Sequence, residues 1–175
     1  MIRIVPLSVR RLASDGSGAA AIEFAILAPL LFSIIFSIME AGWIMSQSIM
    51  LDRGVSKGVR SIQIGSTTSY AELKKSICEE AILLFDCVDS IRLEFTPITD
   101  GDDFPTAATP CVDRTVEIDP VTSYDAGQRS QIMFARACFV VDPMVPGLGF
   151  ALHFPKDETG GLRLTSSFAF VNEPG

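Results

Sequence analysis

The amino-acid sequence predicts an α+β fold, in which a long N-terminal transmembrane helix continues into a small outer domain of helix and antiparallel sheet. Three observations indicate this fold. One apolar run of 28 residues, Phe24 to Leu51, holds a single formal charge, Glu40. Apolar residues then recur at helical spacing as far as Phe85. From Ser90 onward they alternate with polar residues, as in strands with one wet face.

The apolar run accounts for a composition that is rich in hydrophobic residues. The 175-residue chain is 48% hydrophobic, and the excess is concentrated in that one run. A helix of about 20 residues crosses the roughly 30 Å hydrocarbon core of a bilayer. We therefore assign residues 19–46 to a transmembrane helix and residues 47–64 to its helical extension, which excludes an ordinary cytosolic globule.

The distribution of charge predicts the orientation of this helix. Residues 1–18 carry three arginines against one aspartate, whereas residues 47–175 carry 11 Lys and Arg against 18 Asp and Glu. The positive-inside rule then keeps the basic leader, residues 1–18, in the cytoplasm. In a bacterium, the outer domain, residues 65–175, would lie in the periplasm or beyond as part of a single-pass inner-membrane protein. An acidic domain repels phosphates, so nucleic acid is not an expected partner.

The four cysteines fall within the outer domain, and their even number in an oxidising compartment predicts two disulfides. Three connectivities are possible, and the sequence does not choose among them. We prefer the local pairing of Cys78 with Cys87 and of Cys111 with Cys138. The chain has one histidine, His153, and no CxxC pair, so we expect His153 to be a loop residue and predict no metal site.

Helical character is expected to continue beyond the membrane. The intermittent apolar face after the span predicts that the first helix runs to about Ile64, before Gly65. A second amphipathic helix is predicted over Tyr70 to Phe85, with an apolar stripe formed by Leu73, Ile77, Ala81 and Leu84.

Four strands are predicted after the second helix. In the first strand, the apolar residues Ile91, Leu93 and Phe95 alternate with Arg92, Glu94 and Thr96, which lie on the wet face. The second strand falls near Val112 to Ile118, the third covers Ile132 to Val141, and the fourth covers Leu162 to Val171.

Two connections between the strands invite a functional interpretation. Three aspartates in Asp100 to Asp103 lack the spacing of a calcium loop, so a solvated turn is expected there. The segment Pro143 to Pro155 is unusually apolar for a loop. We expect a flap that closes the core, with an exposed contact surface for another subunit as the alternative.

Two carboxylates in or beside the span are costly to insert and therefore suggest function. Glu23 stands at the membrane-entry end of the helix, where a neighbouring positive group would offset its burial. Glu40 lies near the outer end, and we expect it to be an interfacial residue beside Trp43.

The small residues Gly16 to Ala21 precede the apolar run, the reverse of their order in a secretory signal peptide. A peptidase that cut among them would act at the cytoplasmic face and leave the helix attached to the product. An uncleaved anchor is the alternative.

The segment Gly18-Ala19-Ala20-Ala21-Ile22-Glu23-Phe24 resembles the processing motif of the tight-adherence (Flp) pilins and pseudopilins, a branch of the type IV-like systems. Its continuation to Arg60 and the ending Ser166 to Pro174 resemble the TadE-like minor pseudopilins. The resemblance implies a pilin plan of a long helix backed by a small sheet. No cofactor is expected.

The resemblance further implies a processing step and partners. A prepilin peptidase would cut between Gly18 and Ala19, so that Glu23 becomes the fifth residue of the product and Phe24 the sixth. The expected partners are this peptidase, other pilins and minor pseudopilins, and the inner membrane.

We therefore expect a minor pseudopilin that acts in assembly or initiation of an adherence pilus. The alternative is an unprocessed bitopic protein that binds or scaffolds other envelope components. The sequence lacks GxSxG and HExxH motifs, so an enzyme is not expected.

Overall fold

The computed structural model describes residues 18–66, 69–101, 104, 111, 124–145, 150–154, 156–157 and 159–173. The elements, in chain order, are α1 (Ala19–Gln63), α2 (Tyr70–Glu80), α3 (Cys87–Ser90), β1 (Arg92–Ile98), β2 (Ile132–Val141), a 3₁₀ turn (Phe150–His153) and β3 (Leu162–Val171). This arrangement confirms the predicted α+β fold.

Helix α1 is continuous over 45 residues and has two environments. Its N-terminal part projects from the rest of the structure with its apolar side chains exposed, whereas buried positions begin at Glu40 and continue to Ile62. Within the described ranges, α1 is the one helix long and apolar enough to cross a membrane. The helix ends at Gln63, close to the predicted end, and Gly65 takes up the left-handed conformation with φ of 71°.

Helices α1 and α2 pack closely because two glycines of α1 face α2. A Cβ atom built on Gly54 would lie 2.6 Å from the carbonyl oxygen of Ile77, and one on Gly58 would lie 2.7 Å from the Ile77 Cγ1. The Lys57 ammonium and the Glu80 carboxylate form an ion pair at the exposed edge of this contact. The two glycines thus set the distance between the helices.

The sheet is antiparallel in the order β1-β2-β3 and covers one side of α1. In the register of its strands, Phe95 lies opposite Ala135, and Ala135 opposite Phe168. One continuous core joins the sheet to the helices; its members include Leu51, Val55, Leu73, Ile77, Leu93, Phe95, Met133, Ala137 and Phe170. Burial of these side chains is the main force that holds the sheet against the helices.

The second helix is shorter than predicted, since α2 ends at Glu80 and not at Phe85. Ala81 leaves the helix with φ of −90° and ψ of 53°, and Asp86 adopts the left-handed conformation with φ of 53°. The chain thereby turns back, so that Cys87 reaches Cys78. Ala81 and Leu84 remain buried, so the apolar pattern predicted burial correctly although the helix stops earlier.

The last two predicted strands, Ile132 to Val141 and Leu162 to Val171, are confirmed with the predicted bounds. The predicted second strand, near Val112 to Ile118, lies outside the described residues, although Tyr124 just after it forms a parallel bridge with Phe95.

The expectation for Arg92 on the first strand is wrong. Its side chain is not on a wet face but is 3% exposed. The guanidinium is accommodated there because its Nη1 donates hydrogen bonds to the carbonyl oxygens of Asp89, at 2.8 Å, and Ile91, at 3.1 Å.

Candidate functional site

The peptide bond between Gly18 and Ala19 lies at the start of α1. Ala19 is the first residue of the helix, and Gly18, with φ of −87° and ψ of −8°, is its N-cap. Gly18 is exposed, and a Cβ atom built on it would have no neighbour within 4 Å among the described residues. The predicted cleavage point is therefore accessible, and a cut there would leave the whole of α1 in the product. The leader, residues 1–17, lies outside the described residues.

Glu23 is exposed on the first turns of α1, on the same side of the helix as Ala19 because residues four apart share a face. Phe24 is 64% exposed. Within the described part of the chain, no group pairs with the Glu23 carboxylate. An acid on an apolar helix is costly to place in a membrane unless a positive group lies beside it.

Glu40 is not an exposed side chain, as an interfacial residue beside Trp43 would be. It is 1% exposed, beneath the connection between β2 and β3. One carboxylate oxygen accepts a hydrogen bond from the backbone N–H of Val145, at 3.3 Å, and the other accepts one from the N–H of Ala151, at 3.0 Å. Glu40 therefore fastens this connection to α1.

The sequence carries only a weak signal that Glu40 fastens this connection. A loop rich in proline and glycine offers few backbone partners of its own, and a lone acid in an apolar run is a suitable acceptor for its N–H groups. The two carboxylates thus differ in environment, since Glu40 is buried and hydrogen-bonded within its own chain and Glu23 is exposed.

Where it is described, the segment Pro143 to Pro155 closes the core as expected, whereas the contact with another subunit stays a prediction. Ala151 is 1% exposed and belongs to the core, so the segment closes that end of the domain. Met144, Leu152 and Phe154 are 45–54% exposed, so an apolar surface is also present. In the acidic loop, Asp100 is exposed, as in a solvated turn, whereas Asp102 and Asp103 lie outside the described residues.

The structure joins Cys78 to Cys87 and Cys111 to Cys138, which is the local pairing. The first disulfide connects the last turn of α2 to the start of α3, and the second ties Cys111 to the buried Cys138 of β2. His153 is exposed on the 3₁₀ turn. No group of three His, Cys, Asp or Glu side chains within the described ranges is arranged to hold a metal ion.

The closing segment ties the end of β3 to the end of α1. The Asn172 side-chain amide donates hydrogen bonds to the carbonyl oxygens of Ala126, at 2.9 Å, and Gln128, at 3.3 Å. The Glu173 N–H donates a hydrogen bond to the carbonyl oxygen of Gln63, at 3.1 Å. The side-chain amide of Gln63 in turn donates a hydrogen bond to the carbonyl oxygen of Val171. The Asn-Glu pair of this ending therefore has a structural role at the far end of the domain.

Comparison with known families relates most of α1 to one of them. Residues 18–60 match the family model described as TadE-like protein, from the glycine at the predicted cleavage point to the last turn of α1. No curated protein and no solved structure matched the chain. The family match confirms the resemblance to the TadE-like family over α1 and suggests a protein associated with a tight-adherence pilus.

Proposed function

We propose that this protein is a minor pseudopilin that acts in assembly or initiation of a tight-adherence pilus. A prepilin peptidase would remove the leader between Gly18 and Ala19, and α1 would hold the product in the inner membrane. The observation that carries the proposal is the start of α1 at Ala19, with Glu23 exposed one turn later, and without a partner among the described residues, on a TadE-like helix.

Processing would create a partner for Glu23. The new α-amino group of Ala19 has an ordinary pKa of about 7.7–8 and is mostly cationic at neutral pH. In a bundle of such helices it would pair with Glu23 of an adjacent subunit. The pairing offsets the desolvation of both charges and fixes the axial position of one subunit against the next.

The proposed topology places the leader in the cytoplasm and the outer domain in the periplasm. The charge difference between the two sides supports it. The two disulfides also support it, because an oxidising compartment would preserve them. In this proposal the protein is not an enzyme, uses no cofactor and does not bind nucleic acid; its partners are the peptidase, other pilins and minor pseudopilins.

The experiment that tests this function is a measurement of the mature N-terminus and mass in cells with and without the prepilin peptidase. The expected product begins at Ala19 when the peptidase is present and at Met1 when it is absent. The variant Gly18→Phe should remain uncut, and the open surroundings of Gly18 mean that its folding should be unaffected.

Gly42→Ala is the matched control, because Gly42 also has no neighbour within 4 Å of a built Cβ but lies outside the motif. It should be processed normally. An intact Met1 in peptidase-positive cells would contradict the proposal and favour the unprocessed bitopic scaffold.

A further inference from the structure

Six exposed apolar side chains lie in two connections at one end of the outer domain. Ile82, Phe85 and Val88 are 74%, 73% and 43% exposed and lie in and beside the turn from α2 to α3. Met144, Leu152 and Phe154 are 54%, 50% and 45% exposed and lie between β2 and β3. We call these six residues the apolar collar.

The collar lies beside α1 where the helix first meets the domain. In the first connection, the carbonyl oxygen of Leu83 accepts a hydrogen bond from the Gln47 side chain, and Phe85 lines the same cavity as Trp43. In the second connection, the Ala151 N–H donates a hydrogen bond to the Glu40 carboxylate. Both connections therefore lie beside residues 40–47 of α1.

The length of bare helix below the collar matches the thickness of a bilayer. Residues 19–39 of α1 lie before the first buried position, Glu40. Their rise is about 31 Å at 1.5 Å per residue, close to the roughly 30 Å of a hydrocarbon core. A helix that crosses the membrane with this stretch leaves the hydrocarbon near Glu40, at the level of the collar.

We propose that the apolar collar is seated in the lipid interface of the leaflet next to the outer domain, with its side chains at the boundary between headgroups and acyl chains. The exposed apolar stretch of α1 has the length of one hydrocarbon core and ends beside the collar, which favours lipid over another protein as its occupant. Amphipathic surfaces bind at this depth through buried apolar area. The inference rests on α1 crossing a membrane and does not depend on processing.

The charges around the collar indicate that its binding does not require anionic lipid. Exposed Asp86 and Asp142 lie close to it, as do exposed Lys156 and Arg163. Because both signs are present, attraction to anionic headgroups is not the driving force. The collar should therefore be seated equally well on zwitterionic vesicles.

Spin labels on the full chain in phosphatidylcholine vesicles test the proposal. Single cysteines are introduced as Phe85→Cys and Leu152→Cys; the four native cysteines are paired and do not react with the label. Ile132→Cys is the matched control, because Ile132 is 48% exposed but lies at the opposite end of the sheet. Ile35→Cys reports the span itself.

The measured quantity is the collision rate of each label with oxygen, which concentrates in lipid, relative to a water-soluble nickel chelate. The ratio at positions 85 and 152 should be several-fold higher than at position 132 and lower than at position 35. A ratio at 85 and 152 equal to that at 132 would overturn the proposal.

Two further outcomes would also overturn it. Protection of labels 85 and 152 from both reagents, with spin–spin broadening that increases with protein density, would show that a second copy covers the collar. Free access of the nickel chelate to the label at position 35 would remove the span on which the inference rests, without bearing on cleavage at Gly18.

Discussion

The carboxylate of Glu40 accepts a hydrogen bond at 3.0 Å from the backbone N–H of Ala151, which lies 111 residues further along the chain. The contact joins the apolar helix to the connection between the last two strands. Since a second N–H, from Val145, donates to the same carboxylate, one side chain holds two points in the first half of that connection. The exposed apolar part of α1 and the outer domain are thus fastened together where the helix first enters the fold.

Glu40→Ala should destabilise the outer domain. It leaves two backbone N–H groups without their acceptor, and an unsatisfied buried group costs about 1–3 kcal/mol. Glu40→Gln keeps one acceptor oxygen and should lie between the wild type and the alanine variant. Thermal unfolding in detergent measures the loss, and proteolysis should cut first within residues 142–154. Equal protease resistance of all three proteins would contradict this role.

Gly54→Ala should loosen the contact between α1 and α2. The added methyl group would lie 2.6 Å from the Ile77 carbonyl oxygen, a backbone atom that moves only with its helix. Overpacking of this kind costs about 1–3 kcal/mol. Gly42→Ala is the control, because its methyl group meets open space and alanine favours the helix. Unfolding temperatures that fall equally in both variants would disprove the close-approach argument.

Glu23→Ala should still be cleaved and inserted but should fail in pilus assembly. In the proposed function, the peptidase would need small residues near the cut, which Gly16 to Ala21 supply, whereas the assembled bundle would need the carboxylate. Loss of one member of a buried charge pair typically costs about 3–5 kcal/mol.

The assays for this variant are precursor size, piliation and co-purification with pilins. Glu23→Asp, which keeps the charge, is the control and should retain part of the assembly. Accumulation of uncut Glu23→Ala would show that the peptidase reads the acid, and wild-type piliation would refute the charge pair.

Alkylation of the native protein before reduction should label none of the four cysteines, because both pairs are joined. Replacement of both Cys78 and Cys87 by serine should lower the stability by about 2–4 kcal/mol, since the loop they close would become free in the unfolded state. Reaction of four thiols in the native, unreduced protein would show that the compartment or the topology is different.

The sequence predicts most accurately the elements that local patterns determine. Both ten-residue strands, β2 and β3, have the predicted bounds, because their apolar residues and flanking turns lie in one short window. The early end of α2 was not predictable in this way, since the turn at Asp86 and the reach of Cys87 to Cys78 override the helical pattern.

The residues of the candidate site also differ in how well the sequence predicts them. The motif from Gly18 to Phe24 is contiguous, so the sequence alone identifies it and the structure adds its exposure. Glu40 depends on groups more than 100 residues away, and Arg92 depends on carbonyl oxygens freed where α3 ends. No periodicity near either residue reports such partners.

The hydrogen bonds at the two ends of the contact between α1 and β3 have a mechanical consequence. Glu40 is held by the connection before β3, and Gln63 is bonded to the chain at the end of β3, so the helix and the strand run side by side in the same direction. A pulling force along the axis of α1 then shears the hydrogen bonds of Glu40, those of Gln63 and the packed surface between them at the same time. Traction across the axis would instead open the contact from one end. A subunit of this shape should withstand axial tension better than sideways tension.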